Sequence, residues 1–331
     1  MSRVLIKDIA KALGISTATV SIVLSGKYKE GRVSKTLAQK VVEKAEEMNY
    51  KPNSLARSLR LGKTNTIGLI VADISNPFFA SLAFYIQANA EDQGYIVIIA
   101  NTSESDKKLN KMVSALKSRQ VDGLIIVPTA NSANLVADLA NSKIPLVLLD
   151  RTFQDMPISH VLIDNYQASR KAILHLIGKG CKRIALFIYE SPLLHMQERE
   201  RGYASVLKEY NIYDESLVKK LNYDSLEKDV NREISCMLKN DEPIDGVFFA
   251  TNSISLLGIR ALYDKGIQLS TEVNIVCFDK NDAFDFAQFK IPYISQPIAE
   301  MGRLAVESLI NQINDPKASN KMIVSASLEN I

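Results

Sequence analysis

The hydrophobic positions of this chain follow two rhythms. Over residues 4–48 they recur at helical spacing. Ile6, Ile9, Ala10 and Leu13 predict one helix. Gly14 interrupts it, and Ser16 can cap a second helix over Thr17 to Leu24. Ser34 can cap a third, with Leu37, Val41, Val42, Ala45 and Met48 as its buried stripe. From Thr66 onward the rhythm becomes short β-branched runs separated by amphipathic stretches. The runs are Ile67–Ala72, Ile96–Ala100, Leu124–Val127, Leu146–Leu149, Val161–Ile163, Ile184–Ile188, Val247–Ala250 and Ile275–Phe278. Continuous apolar strands alternating with helices predict parallel sheets covered on both faces.

The body repeats itself faintly. Val121-Asp122-Gly123-Leu124-Ile125-Ile126-Val127 recurs as Ile244-Asp245-Gly246-Val247-Phe248-Phe249-Ala250. Two similar α/β subdomains with a cleft between them follow. Ligands of such sheets sit at the carboxyl ends of the strands. That rule gathers Asp73–Phe79, Asp150-Arg151, Asn252 and Asp279 around one cleft.

Charge separates the same two regions. Residues 1–63 hold 13 Lys and Arg against 5 Asp and Glu, whereas the whole 331-residue chain is nearly balanced at 40 against 37. A basic helical head on a mildly acidic body points to a polyanionic partner for the head. Cys181, Cys236 and Cys277 lie far apart with no CxxC spacing, which argues against disulfides and a cysteine zinc site. His160, His175 and His195 lack metal-ligand spacing, so structural or surface roles are expected and no metal or other cofactor is. There is no GxGxxG or GxSxG, and Gly26 to Arg32 resembles a phosphate loop only superficially. No nucleophile stands beside a base, so an enzyme is not expected. No apolar run suits a signal peptide or membrane helix, giving a cytoplasmic expectation.

Ile9 to Ser21 has the form of a helix-turn-helix, with Gly14 permitting the turn. With Lys7-Asp8-Ile9-Ala10, Gly14-Ile15-Ser16, Thr19-Val20-Ser21, Asn49-Tyr50-Lys51-Pro52-Asn53 and Ala56-Arg57-Ser58-Leu59, the chain resembles the lactose-repressor (LacI/GalR) family of bacterial transcription regulators. The similarity continues through Thr66-Ile67-Gly68-Leu69-Ile70-Val71. It implies an all-α helix-turn-helix head over 1–50 and a hinge helix over 51–64. An effector-binding and dimerisation body fills 65–331, as two doubly wound parallel-sheet subdomains resembling periplasmic binding proteins. These halves are expected at about 65–164 plus 295–325, and 165–294.

The resemblance further implies a homodimeric repressor on a palindromic double-stranded operator. Thr17, Ala18 and Ile22 would face bases, and Ser16, Thr19, Ser21, Tyr50 and Asn53 the DNA backbone. Ala56, Leu59 and Arg60 of the hinge would also bind DNA, with Leu59 as a minor-groove wedge. Ile22 stands where Arg or His is frequent, so methyl contacts and shape are expected to carry more of the recognition there. The Gly26–Arg32 loop is longer than in the best-known members.

For the body, the likeness to ribose-type periplasmic proteins implies a sugar effector. Its contacts would be Asn76, Phe78, Phe79, Asp150, Arg151, Arg199, Tyr223, Asn252, Asp279 and Gln296. An aromatic face suits the C–H face of a sugar, and paired polar groups suit its hydroxyls. Ser253 replaces a frequent Asp, and Lys280 replaces another after Asp279. Those changes leave a phosphorylated or acidic sugar open, beside a nucleobase effector or a sugar-binding module without a DNA role.

Overall fold

The computed structural model describes residues 4–26, 28, 33–50, 63–142, 144–239, 242–287 and 289–331. The chain divides into two compact units, Met1–Thr64 and Asn65–Ile331.

In the first unit, helices α1 (Ile6–Leu13), α2 (Thr17–Leu24) and α3 (Lys35–Glu47) pack around Ile9, Ala10, Val20, Val23, Ala38, Val41 and Ala45. Gly14 ends α1 at φ +64°, a left-handed position that suits a residue without Cβ. The Oγ of Ser16 accepts the Thr19 N–H at 3.1 Å and opens α2. Ser34 caps α3 in the same way, accepting from Leu37. Tyr28 and Tyr50 pack half-buried against this small core. The hinge assignments Asn53, Ala56, Leu59 and Arg60 lie outside the described residues, as do Lys27, Lys29 and Arg32 of the loop.

Among the described residues, the second unit contains two six-stranded sheets. The strands, in chain order, are β1 (Thr66–Val71), β2 (Ile96–Asn101), β3 (Gly123–Ile126), β4 (Leu146–Leu149), β5 (Ser159–Ile163), β6 (Ile184–Tyr189), β7 (Val218–Leu221), β8 (Gly246–Phe249), β9 (Asn274–Phe278), β10 (Tyr293–Ser295), β11 (Lys321–Val324) and β12 (Ser327–Glu329). The first sheet runs β11-β5-β4-β3-β1-β2, and the second β12-β10-β9-β8-β6-β7. All pairings are parallel except β12 against β10. The chain therefore passes between sheets three times: after β5, after β10 and after β11. The last pass returns Ser327–Glu329 to the second sheet, beyond the segment expected in the first half.

One apolar cluster runs through both halves, from Leu69 and Val71 to Leu186, Tyr203 and Phe278. The outer faces of the two sheets have their own cores, around Leu124 and Leu148 in the first and around Phe187 and Phe249 in the second. The expectation of strands covered on both faces fails at one edge. In β2, the last strand of its sheet, Ile96 and Ile99 are exposed, while Val97 packs toward one core and Ile98 and Ala100 toward another. Among the described residues no helix is long and apolar enough to cross a membrane.

Helix pairs cross closely at glycines. Helix Leu194–Glu209 meets helix Asn165–Gly178 at Gly202, where any Cβ would overlap the carbonyl oxygen of Tyr166 and approach Ser169 Cβ to 2.8 Å. Gly202→Ala is expected to destabilise the body by about 1–3 kcal/mol, the usual cost of overpacking a tight contact. A chemical-denaturation midpoint measures it, and an unchanged midpoint would mean the helices separate without cost.

Candidate functional site

A cavity of about 440 Å³ opens between the carboxyl ends of the two sheets. All ten body residues expected at a ligand site line it. They arrive from separate elements. Asn76 caps helix Pro77–Asp92, its Oδ1 accepting the Phe78 N–H at 3.0 Å. Phe78 and Phe79 begin that helix and pack edge to face, with centroids 5.0 Å apart. Both also belong to the apolar core, so they serve packing and lining together.

Two aspartates mark equivalent places in the two halves. Asp150 follows β4 and its N–H donates to Val161 of β5 at 3.0 Å. Asp279 follows β9 and its N–H donates to Ile294 of β10 at 2.9 Å. Their φ values are +67° and +69°. Aspartate tolerates this left-handed region better than most residues, and such conformations cluster at functional sites. Here they turn both carboxylates into the cleft.

Arg199, 3% exposed on helix Leu194–Glu209, feels the charge of both. Its Nε donates to Asn165 Oδ1 at 2.8 Å and its Nη1 to the Ala250 carbonyl at 2.6 Å. The guanidinium carbon stands 3.4 Å from the Phe278 ring centroid. Burial lowers the Arg199 pKa to about 10, against the raising influence of Asp279 and Asp150. Burial pushes Asp279 up to about 6, opposed by Arg199 and by its bond from Gln296. Burial raises Asp150 as well, opposed by Arg151 and Arg199.

Gln296 sits on the second passage between sheets. Its Nε2 donates to Asp279 Oδ1 at 2.7 Å, while its buried Oε1 has no partner. Asn252 opens helix Asn252–Asp264 and spends its amide on the Asp279 loop. Its Nδ2 donates to Lys280 O at 2.9 Å and its Oδ1 accepts from Asn281 at 3.2 Å. Asn252 thus braces Asp279. Tyr223 stands half-exposed at the cavity wall, 5.7 Å from Tyr189 between ring centroids.

Arg151 places its two terminal nitrogens on both oxygens of Glu104, each at 2.8 Å. Glu104 has φ +58° and follows Ser103 at +49°, two successive left-handed residues beyond β2. The sequence reading missed Glu104, because an acidic loop residue carries no pattern. It also missed His195, which is buried, lines the cleft and has an unpartnered Nδ1. Burial, then Arg151 and Arg199, hold its pKa well below the ordinary histidine value, so the imidazole is neutral. Its position at the start of helix Leu194–Glu209, after β6, was the available signal.

In the head, Ser16, Thr17 and Ala18 are exposed at the start of α2, and Thr19, Ser21 and Ile22 are half-buried. Ser16 and Thr19 also hydrogen-bond each other through their hydroxyls at 2.8 Å. An exposed helix N-terminus with hydroxyls can meet phosphate and enter a major groove.

Residues 64–328 match the periplasmic binding proteins and sugar binding domain of the LacI family. Residues 5–53 match the lacI family of bacterial regulatory proteins. The chain belongs to the LacI family. It is a helix-turn-helix, DNA-binding transcriptional regulator. It is 32% identical to the ribose operon repressor of Halalkalibacterium halodurans over 93% of this chain and 90% of that protein. The lac repressor dimer bound to operator and an anti-inducer shares the fold. Its TM-score is 0.85 at 21% identity, covering 99% of this chain and 98% of that one. A LacI family regulator from Enterococcus faecium with bound ribose matches at TM-score 0.69 and 25% identity, over 80% of this chain and 96% of that one.

The raised pKa of Asp279 sets a pH dependence. An unfolded Asp279 releases its proton near 3.8 and the folded one near 6, so between these values the folded state binds more protons. Stability contributed by this group therefore falls as pH rises from about 4 to 6. Asp279→Asn is expected to remove that fall. Melting temperatures of both proteins from pH 4 to 7 test it: parallel curves would show that Asp279 ionises normally.

Proposed function

We propose that this regulator is a cytoplasmic repressor, without enzymatic activity, that binds a palindromic operator as a homodimer. A sugar held between the two α/β halves changes its operator affinity. The convergence of Asp150, Asp279, Arg199 and Gln296 on one cavity with the Phe78 and Phe79 pair carries this reading. Carboxylates and amides offer the fixed acceptors and donors that sugar hydroxyls require, and the rings offer an apolar face. The ribose held by the Enterococcus faecium relative supports the same ligand class.

All ten body residues take part in this reading, with Asn252 acting through the Asp279 loop. Thr17, Ala18 and Ile22 read bases, and Ser16, Thr19, Ser21, Tyr50 and Asn53 hold the DNA backbone. Ala56, Leu59 and Arg60 serve the operator centre. Phe84 and Ile96 support dimerisation: they stand 68% and 70% exposed on adjoining elements of the first half. Large apolar side chains so placed favour burial against a second chain. Ligand shifts operator affinity only through its preference for one arrangement of the halves over the other.

Selection from random duplexes supplies the operator, and fluorescence anisotropy then follows DNA binding during sugar titrations. Asp279→Ala is expected to keep ligand-free operator affinity within about threefold and to lose the sugar response, since a buried bonded charge is worth several kcal/mol in binding. An unchanged sugar titration would remove Asp279 from the site. Leu59→Ala is expected to weaken operator binding much more than random-sequence binding; equal losses would rule out a wedge at the operator centre.

A further inference from the structure

The charge of the cleft says more about its ligand than its shape does. Six carboxylates line it: Asp73, Glu104, Asp150, Glu190, Asp224 and Asp279. The cations among the described lining residues are Arg151 and Arg199, and both are engaged. Arg199 is bonded to Asn165 and Ala250 and lies on Phe278. Arg151 has Glu104 across both terminal nitrogens, and its Nε stands 3.5 Å from Asp150 Oδ2.

Lys280, the substitution that left an acidic sugar open, does not line the cavity. Its ammonium pairs with Asp285 at 2.9 Å. His195 is neutral and Ser253 carries no charge. The unpartnered oxygen of Gln296 is an acceptor, and carboxylates are acceptors too. Acceptors thus outnumber open donors in the cleft: the buried Nε of Arg151 makes no hydrogen bond, but Glu104 closes the Arg151 fork to an anion.

We infer that the cleft takes a sugar lacking any anionic group, and that Glu104 enforces this by filling the fork of Arg151 that a phosphate or carboxylate would otherwise occupy. The inference rests on the sugar reading above and narrows its chemical class. Glu104 acts in two ways. It removes the bidentate partner of an incoming anion, and it adds a like charge against it. The successive left-handed residues Ser103 and Glu104 hold the carboxylate at the Arg151 fork.

The test uses the full-length protein and matched probes. Pentoses, hexoses and disaccharides are each titrated by calorimetry beside their own phosphate ester, aldonate or uronate. D-ribose with D-ribose 5-phosphate, and D-glucose with D-glucose 6-phosphate, are two such pairs. The wild-type protein is expected to bind the neutral member of a pair at least about tenfold more tightly than its anionic counterpart, because like-charge contact disfavours the latter. Glu104→Gln and Glu104→Ala are expected to narrow that gap by about tenfold through tighter binding of the anionic member. A merely structural Glu104 would weaken both members alike, and that result overturns its role. Preferential binding of an anionic member by the wild type overturns the inference while the sugar reading stands. If no member of any pair binds, the sugar reading fails and the inference falls with it.

Discussion

The body is organised around an electrostatic constraint at the joint of its two halves. Asp150 from the first sheet is buried, Asp279 from the second is half-buried, and both act on the charge of the buried Arg199. A carboxylate moved into such an interior without compensation pays a desolvation penalty of several kcal/mol even after relaxation. Each half thus presents a charge that the same guanidinium helps to offset. Arg199 is itself fixed by Asn165, just past the first passage between sheets, and by Ala250, just past β8. The compensation is incomplete, since burial still raises both aspartates. Polar ligand groups that donate to these carboxylates would supply what the protein withholds.

Backbone geometry explains why the charges sit there. Each aspartate follows a central parallel strand and takes a left-handed turn, costing of order 1–3 kcal/mol. The turn is held by a bond from its own N–H to the neighbouring strand. Sheet pairing thus stabilises the conformation that points the carboxylate at the cleft. Gln296 extends the arrangement into a passage between the halves, because its amide holds Asp279 while its chain links β10 to helix Ile298–Asn314.

Legibility of the fold followed local signal strength. The head was readable because Gly14, Ser16 and Ser34 act within one turn of where they stand. Central strands were readable because burial on both faces demands apolar runs. Strands β7, β10, β11 and β12 escaped because they are short and partly exposed; β7 is Val-Lys-Lys-Leu, with little to distinguish it from a loop. At the cleft, residues just past apolar strands could be placed by the rule for parallel sheets. Glu104 could not, since its meaning depends on Arg151, 47 positions away. His195 could not be ranked either, because a lone histidine gives no hint that two arginines and burial will keep it neutral.

The Glu104–Arg151 pair and the Asp150–Arg199–Asp279 group answer different physical needs. On the proposed reading, the first, a bidentate pair at the cavity wall, restricts what can enter, and the second, where the sheets meet, responds to what has entered. A ligand bonded to Asp150 and Asp279 touches both halves, so its binding energy depends on their mutual arrangement. Only the difference in that energy between two arrangements can be passed to the DNA-binding state, at about 1.4 kcal/mol for each tenfold change in operator affinity. Contacts confined to one half, such as stacking on Phe79, add affinity equally in both arrangements and transmit nothing. On the proposed reading, regulation therefore resides in the groups that bridge the sheets, and selectivity in those that do not need to.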